Sequence, residues 1–140
     1  MKVLAVDPGD KRIGLAISDP TGTIARPLSV IKHISKEEDA ERVAKAVEQE
    51  QAEMIVVGWA LDSEGNVGYR ARKSKNFAES IESKTKLPVK MWDESGTTQA
   101  ALQSRIAMGV SKKKRKGHLD DIAATILLQD FLDNYAINQT

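Results

Sequence analysis

The runs KVLAVD (2–7) and RIGLAISD (12–19) are rich in β-branched residues and are joined only by the turn-forming DPGDK. So short a connection makes them the two strands of a hairpin. A second turn signal, DPTG (19–22), leads into ARPLSVIKH (25–33), a third strand that Pro27 pushes towards a sheet edge because proline has no N–H for the ladder. From Ser35 the period changes. SKEED offers Ser35 as N-cap with Glu38 three residues on, and Ala40, Val43, Ala44 and Val47 recur at helical spacing. EMIVVG (53–58) reads as a buried strand and LPVKMW (87–92) as a fifth strand. Between them, after the loop DSEGNVG, Ala71, Ser74, Phe77, Ala78 and Ile81 mark the inner face of a second helix. TTQAALQSRIAM (97–108) is helix-like, SKKKRKG (111–117) reads as a basic loop, and LDDIAATILLQDFL (119–132) as an apolar final helix.

A hairpin and a third strand, followed by strands alternating with helices, specify a mixed α/β sheet with helices on both faces. Strands four and five run parallel to strand one, strand two runs antiparallel, and the expected order is 3-2-1-4-5. With 140 residues, no internal repeat and no linker, residues 1–140 are expected to form a single domain.

Composition narrows the chemistry. The absence of cysteine excludes disulfides, thiolate zinc sites and cysteine nucleophiles, and suits a reducing cytoplasm. His33 and His118 are too few for a histidine-built zinc site, so any metal would be a hard cation held by carboxylate oxygens. MIVVGWAL (54–61) is too short to span a bilayer and the N-terminus carries no targeting pattern, so a cytoplasmic protein with no membrane partner is expected. The 21 basic and 20 acidic residues nearly cancel, and nucleic-acid binding has to be argued from where the charges lie.

Sites in such sheets form beyond the carboxyl ends of the parallel strands. Asp7 ends strand one, Asp93 and Glu94 end strand five, and Asp120 and Asp121 open the last helix. Each has a structural reading when taken singly: Asp-Pro-Gly is turn chemistry, Asp93 and Glu94 can lead into a helix, and an acidic first turn suits the helix dipole. Together they are three chain-distant acidic points at element ends. Such an oxygen donor set suits two Mg²⁺ or Mn²⁺ ions, about 4 Å apart, and phosphodiester hydrolysis. The strand order puts the ends of strands one and five roughly 10 Å apart, a gap two ions and their bonds can fill.

Basic residues form two clusters, Arg70, Arg72, Lys73 and Lys75 at the start of helix two, and Lys112, Lys113, Lys114, Arg115 and Lys116 before Asp120. Charge runs are commonly solvated faces. The second run, however, directly precedes proposed metal ligands and is read as a phosphate contact. Lys11, Arg12, Arg70, Arg72 and Lys73 complete the candidate nucleic-acid surface. Aromatic residues are too sparse for a base-stacking platform, and Trp59 and Tyr69 are expected to pack locally.

These motifs resemble the YqgF (RuvX) family of RNase H-fold nucleases, described variously as Holliday junction resolvases and as nucleases that mature the ends of pre-16S rRNA. VDPGDKRIGLAISD resembles the family's opening motif, VVGWALDSEGNVGYRARKSKNFA its loop and basic helix, WDESGTTQAA its fifth-strand motif and LDDIAATILLQDFL its closing helix. The resemblance implies an RNase H-like fold and a divalent-metal-dependent nuclease acting on structured nucleic acid, with precursor 16S rRNA favoured over branched DNA. A Holliday junction resolvase, or a nucleic-acid-binding module with weak or no catalysis, is the alternative. It also implies Asp7 as the central metal ligand, Glu94 as the second acid and Asp120 as the third, with Asp93 and Asp121 in reserve.

In the related RuvC-like resolvases the second acid ends the fourth strand, whereas here that strand ends VVGWAL, with no acid before Asp62, and the role moves to Glu94. Two further departures stand out: Ser95 replaces the family's usual Arg after Asp-Glu, and Gly58-Trp59-Ala60-Leu61 replaces its Gly-Leu-Pro-Leu. Cutting two symmetric strands requires a dimer. The sequence marks no dimer face, leaving monomer and homodimer both open.

Overall fold

The computed structural model describes residues 1–94 and the helix Leu119–Gln139. The expected helix at 97–108 and the basic loop at 111–117 lie outside the described residues. Strands β1 (Val3–Pro8) and β2 (Arg12–Ser18) form the expected hairpin, with Leu4 opposite Ile17 and Asp7 opposite Gly14. Its turn closes through the Gly9 N–H, which donates to the Arg12 carbonyl at 2.9 Å. A Cβ on Gly9 would sit 2.5 Å from that same oxygen, so a side chain here would push the turn open.

Strand β3 (Ala25–Lys32) pairs antiparallel with β2 at the sheet edge, as Pro27 requires. The register shifts beside that proline: Leu15 faces Ser29 while Ala16 faces Pro27, so Leu28 is the extra residue of a bulge. Strand β4 (Met54–Trp59) lies parallel to β1, and β5 (Val89–Asp93) parallel to β4. The order is β3-β2-β1-β4-β5, with β2 alone running against the rest.

Helices α1 (Lys36–Glu50) and α2 (Tyr69–Thr85) cover one face, and α3 (Leu119–Gln139) covers the other. The period-two alternation of the central strands supplies both cores. Leu4, Val6, Ile55 and Val57 meet Val43, Val47, Phe77 and Ile81 on the first face. Val3, Ala5, Met54 and Val56 meet Ala124, Leu127, Leu128 and Phe131 on the second.

The start of α1 departs from the simple capping pattern. Ser35 Oγ accepts from the Glu38 N–H at 3.2 Å, as expected, but the returning carboxylate belongs to Asp39, whose Oδ1 accepts from the Ile34 N–H at 3.0 Å. Asp39 is buried and also meets His33 Nδ1 and the Arg42 guanidinium. Burial works against its charge, yet the Ile34 N–H, the His33 ring and Arg42 together hold the carboxyl below its usual range. Arg42 also donates to the Lys32 carbonyl at 2.6 Å, tying the helix to the end of β3. Among the described residues no helix is long and apolar enough to cross a membrane.

Candidate active site

Alternation along β1, β4 and β5 puts Asp7, Gly58 and Trp92 on the face covered by α3. Trp92 is fixed there by edge-on packing against Phe131, with ring centroids 5.2 Å apart, and by its Nε1, which donates to Asp130 at 2.9 Å. One residue past β5, the Glu94 N–H donates to the Trp59 carbonyl at 2.9 Å, so the ladder carries Glu94 onto the same face. Asp93, between them, is exposed.

Gly58 decides where the Glu94 side chain goes. A Cβ on Gly58 would lie 2.0 Å from Glu94 Oε1 and 2.8 Å from Leu127 Cδ2. Glu94 therefore lies across the bare backbone of β4 and comes within hydrogen-bonding reach of Asp7. The gap of roughly 10 Å expected from strand spacing is not left open at the carboxylates. The backbone ends are two strands apart, but a missing Cβ on the strand between them lets a glutamate cross it.

Electrostatics follow from this crowding. Burial, then the hydrogen bond to Asp7 and its charge, then the charge of Asp93, push the Glu94 carboxyl up to about 9. Its Oε1 is buried with no hydrogen-bond partner among the described residues. The native chain thus holds a proton that the unfolded chain releases between the ordinary value of 4.5 and about 9. This contribution to stability is fully present below about 4.5 and is lost as pH rises through about 9. In chelator, the urea midpoint of the wild type should fall across that window, and Glu94→Gln should remove most of the slope. A flat wild-type profile would refute the buried carboxyl pair.

Next to the pair is a hollow of about 200 Å³ lined by Pro8, Gly58, Trp59, Arg70, Ser74 and Glu94. Helix α2 starts here, after Gly68 and without a side-chain cap, and its first turn carries Arg70 and Arg72 where the helix dipole favours anions. Arg70 is largely exposed and pairs with Asp10 at 3.0 Å. Lys11, Arg12 and Arg72 are exposed, Lys11 and Arg12 beside the β1–β2 turn. Tyr69 does not pack locally as expected but is 76% exposed, because the buried stripe of α2 runs through Ala71, Phe77, Ala78 and Ile81.

Asp120 and Asp121 fall in the first turn of α3, but their side chains lie outside the described residues, as do Lys112, Lys113, Lys114, Arg115 and Lys116. Among the described residues no three His, Asp or Glu side chains converge enough to hold an ion. What they supply is the Asp7–Glu94 pair. Sequence reasoning missed Gly58. Its signal was a glycine next to the end of a largely buried strand, where a β-branched residue serves a sheet better.

A mixed sheet of this order, with helices on both faces, is an RNase H-like fold. Thermus thermophilus RuvC in complex with a Holliday junction superposes with a TM-score of 0.66 at 22% identity, over 100% of this chain and 97% of that one. The fowlpox virus resolvase with its junction DNA gives 0.59 at 17% identity, over 96% and 99%. The family model described as "RuvX: Holliday junction resolvase" matches residues 1–134, and the chain belongs to this family of nucleases. A Desulforamulus reducens protein named "Putative pre-16S rRNA nuclease" is 40% identical over 97% of this chain and 99% of its own length. Proteins of the same name from Clostridium novyi, 38% identical over 96% and 99%, and Listeria innocua, 40% identical over 95% and 98%, are similar throughout.

Proposed function

We propose that this chain is a divalent-metal-dependent nuclease that trims the ends of precursor 16S rRNA, with residues 1–140 acting as one domain in the cytoplasm. The observation that carries the reading is the meeting of Asp7 and Glu94 across Gly58, at the strand ends of a RuvX-family sheet. The substrate comes from the names of relatives that match this chain along nearly its whole length.

The residues fit a hard cation. The donors are all carboxylate oxygens, and the orphaned Oε1 of Glu94 is a buried acceptor without a donor. Asp7 and Glu94 would hold Mg²⁺ or Mn²⁺, as a pair of ions if Asp120 closes the site, with Asp93 and Asp121 as the reserve acids. The chemistry supplied by such ions, once bound, is activation of a water and stabilisation of the leaving oxygen. The protein's own part is to keep the carboxylates together, to hold the Glu94 side chain over Gly58, and to place the Arg70 guanidinium at the adjoining hollow for a substrate phosphate. Lys11, Arg12, Arg72, Lys73 and the 112–116 run then neutralise flanking phosphates.

The family description and the fold favour one competing reading, cleavage of four-way junctions, which needs two active sites and so a dimer. Incubation of the wild type with a 16S precursor fragment and with a four-way junction, in Mg²⁺ and in Mn²⁺, separates them. Trimming of the RNA with the junction left intact is expected. Symmetric junction cleavage by a dimer would replace the proposal, and binding of both without cleavage would reduce the chain to a binding module.

A further inference from the structure

A second hollow, of about 320 Å³, opens on the α1 and α2 side of the Pro8–Gly9–Asp10 turn. Its wall is apolar, made by Pro8, Ile13 and Phe77, the last two being 2% and 7% exposed core residues. Its rim carries His33, Lys36, Arg70 and Lys73. The rim's acids are already engaged: Asp39 by Arg42, His33 and the Ile34 N–H, and Asp10 by Arg70. Lys36 and Lys73 form no ion pair among the described residues. With Nδ1 committed to Asp39, the Nε2 of His33 is the ring nitrogen left for a ligand.

An apolar wall beneath two uncompensated ammonium groups fits a flat, partly apolar anion. The volume stands at the lower end of small-ligand sites, about 300–1,000 Å³. The hollow also shares Pro8, Gly9, Asp10, Arg70 and Ser74 with the one that contains Glu94. A ligand filling it is therefore continuous with whatever lies at the carboxylate pair.

We propose that this hollow receives one unpaired nucleotide next to the cleaved bond, its phosphate held by Lys36 and Lys73 and its base laid against Pro8, Ile13 and Phe77. The proposal rests on the nuclease reading for the nucleotide's place beside the cut, while its contacts, two ammonium groups and an apolar wall, need no metal at Asp7 and Glu94. It deepens that reading. A base can enter only when it is out of the stack, so the enzyme favours a single-stranded nucleotide beside its cut, and His33 is placed to read the base edge.

The test measures binding without cleavage. A fluorescein-labelled hexaribonucleotide, intact or with one abasic position moved along it, is titrated into the full chain in chelator, with anisotropy as the readout. One position is expected to weaken wild-type binding about tenfold when abasic, the others little. The Lys36→Ala, Lys73→Ala double variant should bind about tenfold more weakly and lower the slope of log affinity against log salt by about 0.7, as the loss of one single-strand phosphate contact requires. In that variant the abasic penalty should shrink.

Equal tolerance of abasic substitution at every position would overturn the proposal, whether or not the lysines matter, since plain phosphate contact would then explain the binding. An unchanged salt slope in the double variant would overturn it as well. Both lysines are on exposed helical positions, and a thermal melt checks that the variant folds. Because no cleavage is read, loss of the nuclease assignment would show only in the metal-dependent assay and is distinguishable from failure here.

Discussion

Asp7→Asn is expected to lower metal-dependent cleavage at least about a thousandfold, the usual scale for removing a group on which the chemical step depends. The same change should leave the thermal midpoint unchanged or raised. Asparagine is nearly isosteric and can still hydrogen-bond to Glu94, while the charge that helps push the Glu94 carboxyl up is gone. Activity and stability are thus expected to move apart. If Asp7 were only the first residue of a turn, asparagine would serve equally and cleavage would persist. Retained cleavage with a normal fold would remove Asp7 from the site.

The second large effect is expected from the smallest substitution. Gly58→Ala introduces a methyl group 2.0 Å from Glu94 Oε1 and 2.8 Å from Leu127 Cδ2, so the glutamate must leave its path over β4. Misplacing a catalytic carboxylate by about 1 Å can cost a hundredfold in rate, and overpacking costs about 1–3 kcal/mol in stability. Cleavage assays and urea denaturation should find both losses. In a Glu94→Ala background the stability cost of Gly58→Ala should fall, since the harder of the two collisions is gone; this coupling is what a double-mutant cycle isolates. Full activity in Gly58→Ala would show that Glu94 does not need to cross the strand.

What could be seen beforehand follows from the range of the interactions. The hairpin, the edge position of β3 and the parallel β4 and β5 depend on connection length, proline and periodicity, all local, and the sheet order came through intact. Ser35 was legible as a cap for the same reason. The choice of Asp39 over Glu38 as its partner was not, because only packing against His33 and Arg42 decides which carboxylate is turned inward. Glu94 was favoured by resemblance, yet its route to Asp7 depends on Gly58, thirty-six positions earlier in the chain, and no window of sequence contains both. The second hollow is equally invisible in the sequence, because His33 and Lys36 meet Phe77 and Lys73 only once α1 and α2 pack side by side.

Among the described residues helix α3 is the one helix on the second face of the sheet, and it follows all five strands in chain order. During synthesis the sheet and its α1–α2 face can form while the opposite face, with Asp7 and Gly58 on it, still lacks α3. Leu127 and its neighbours reach Gly58, and the Glu94 side chain lying over it, only when that helix arrives. Of the two faces, the one that carries the carboxylate pair is thus the later to be covered by the described helices.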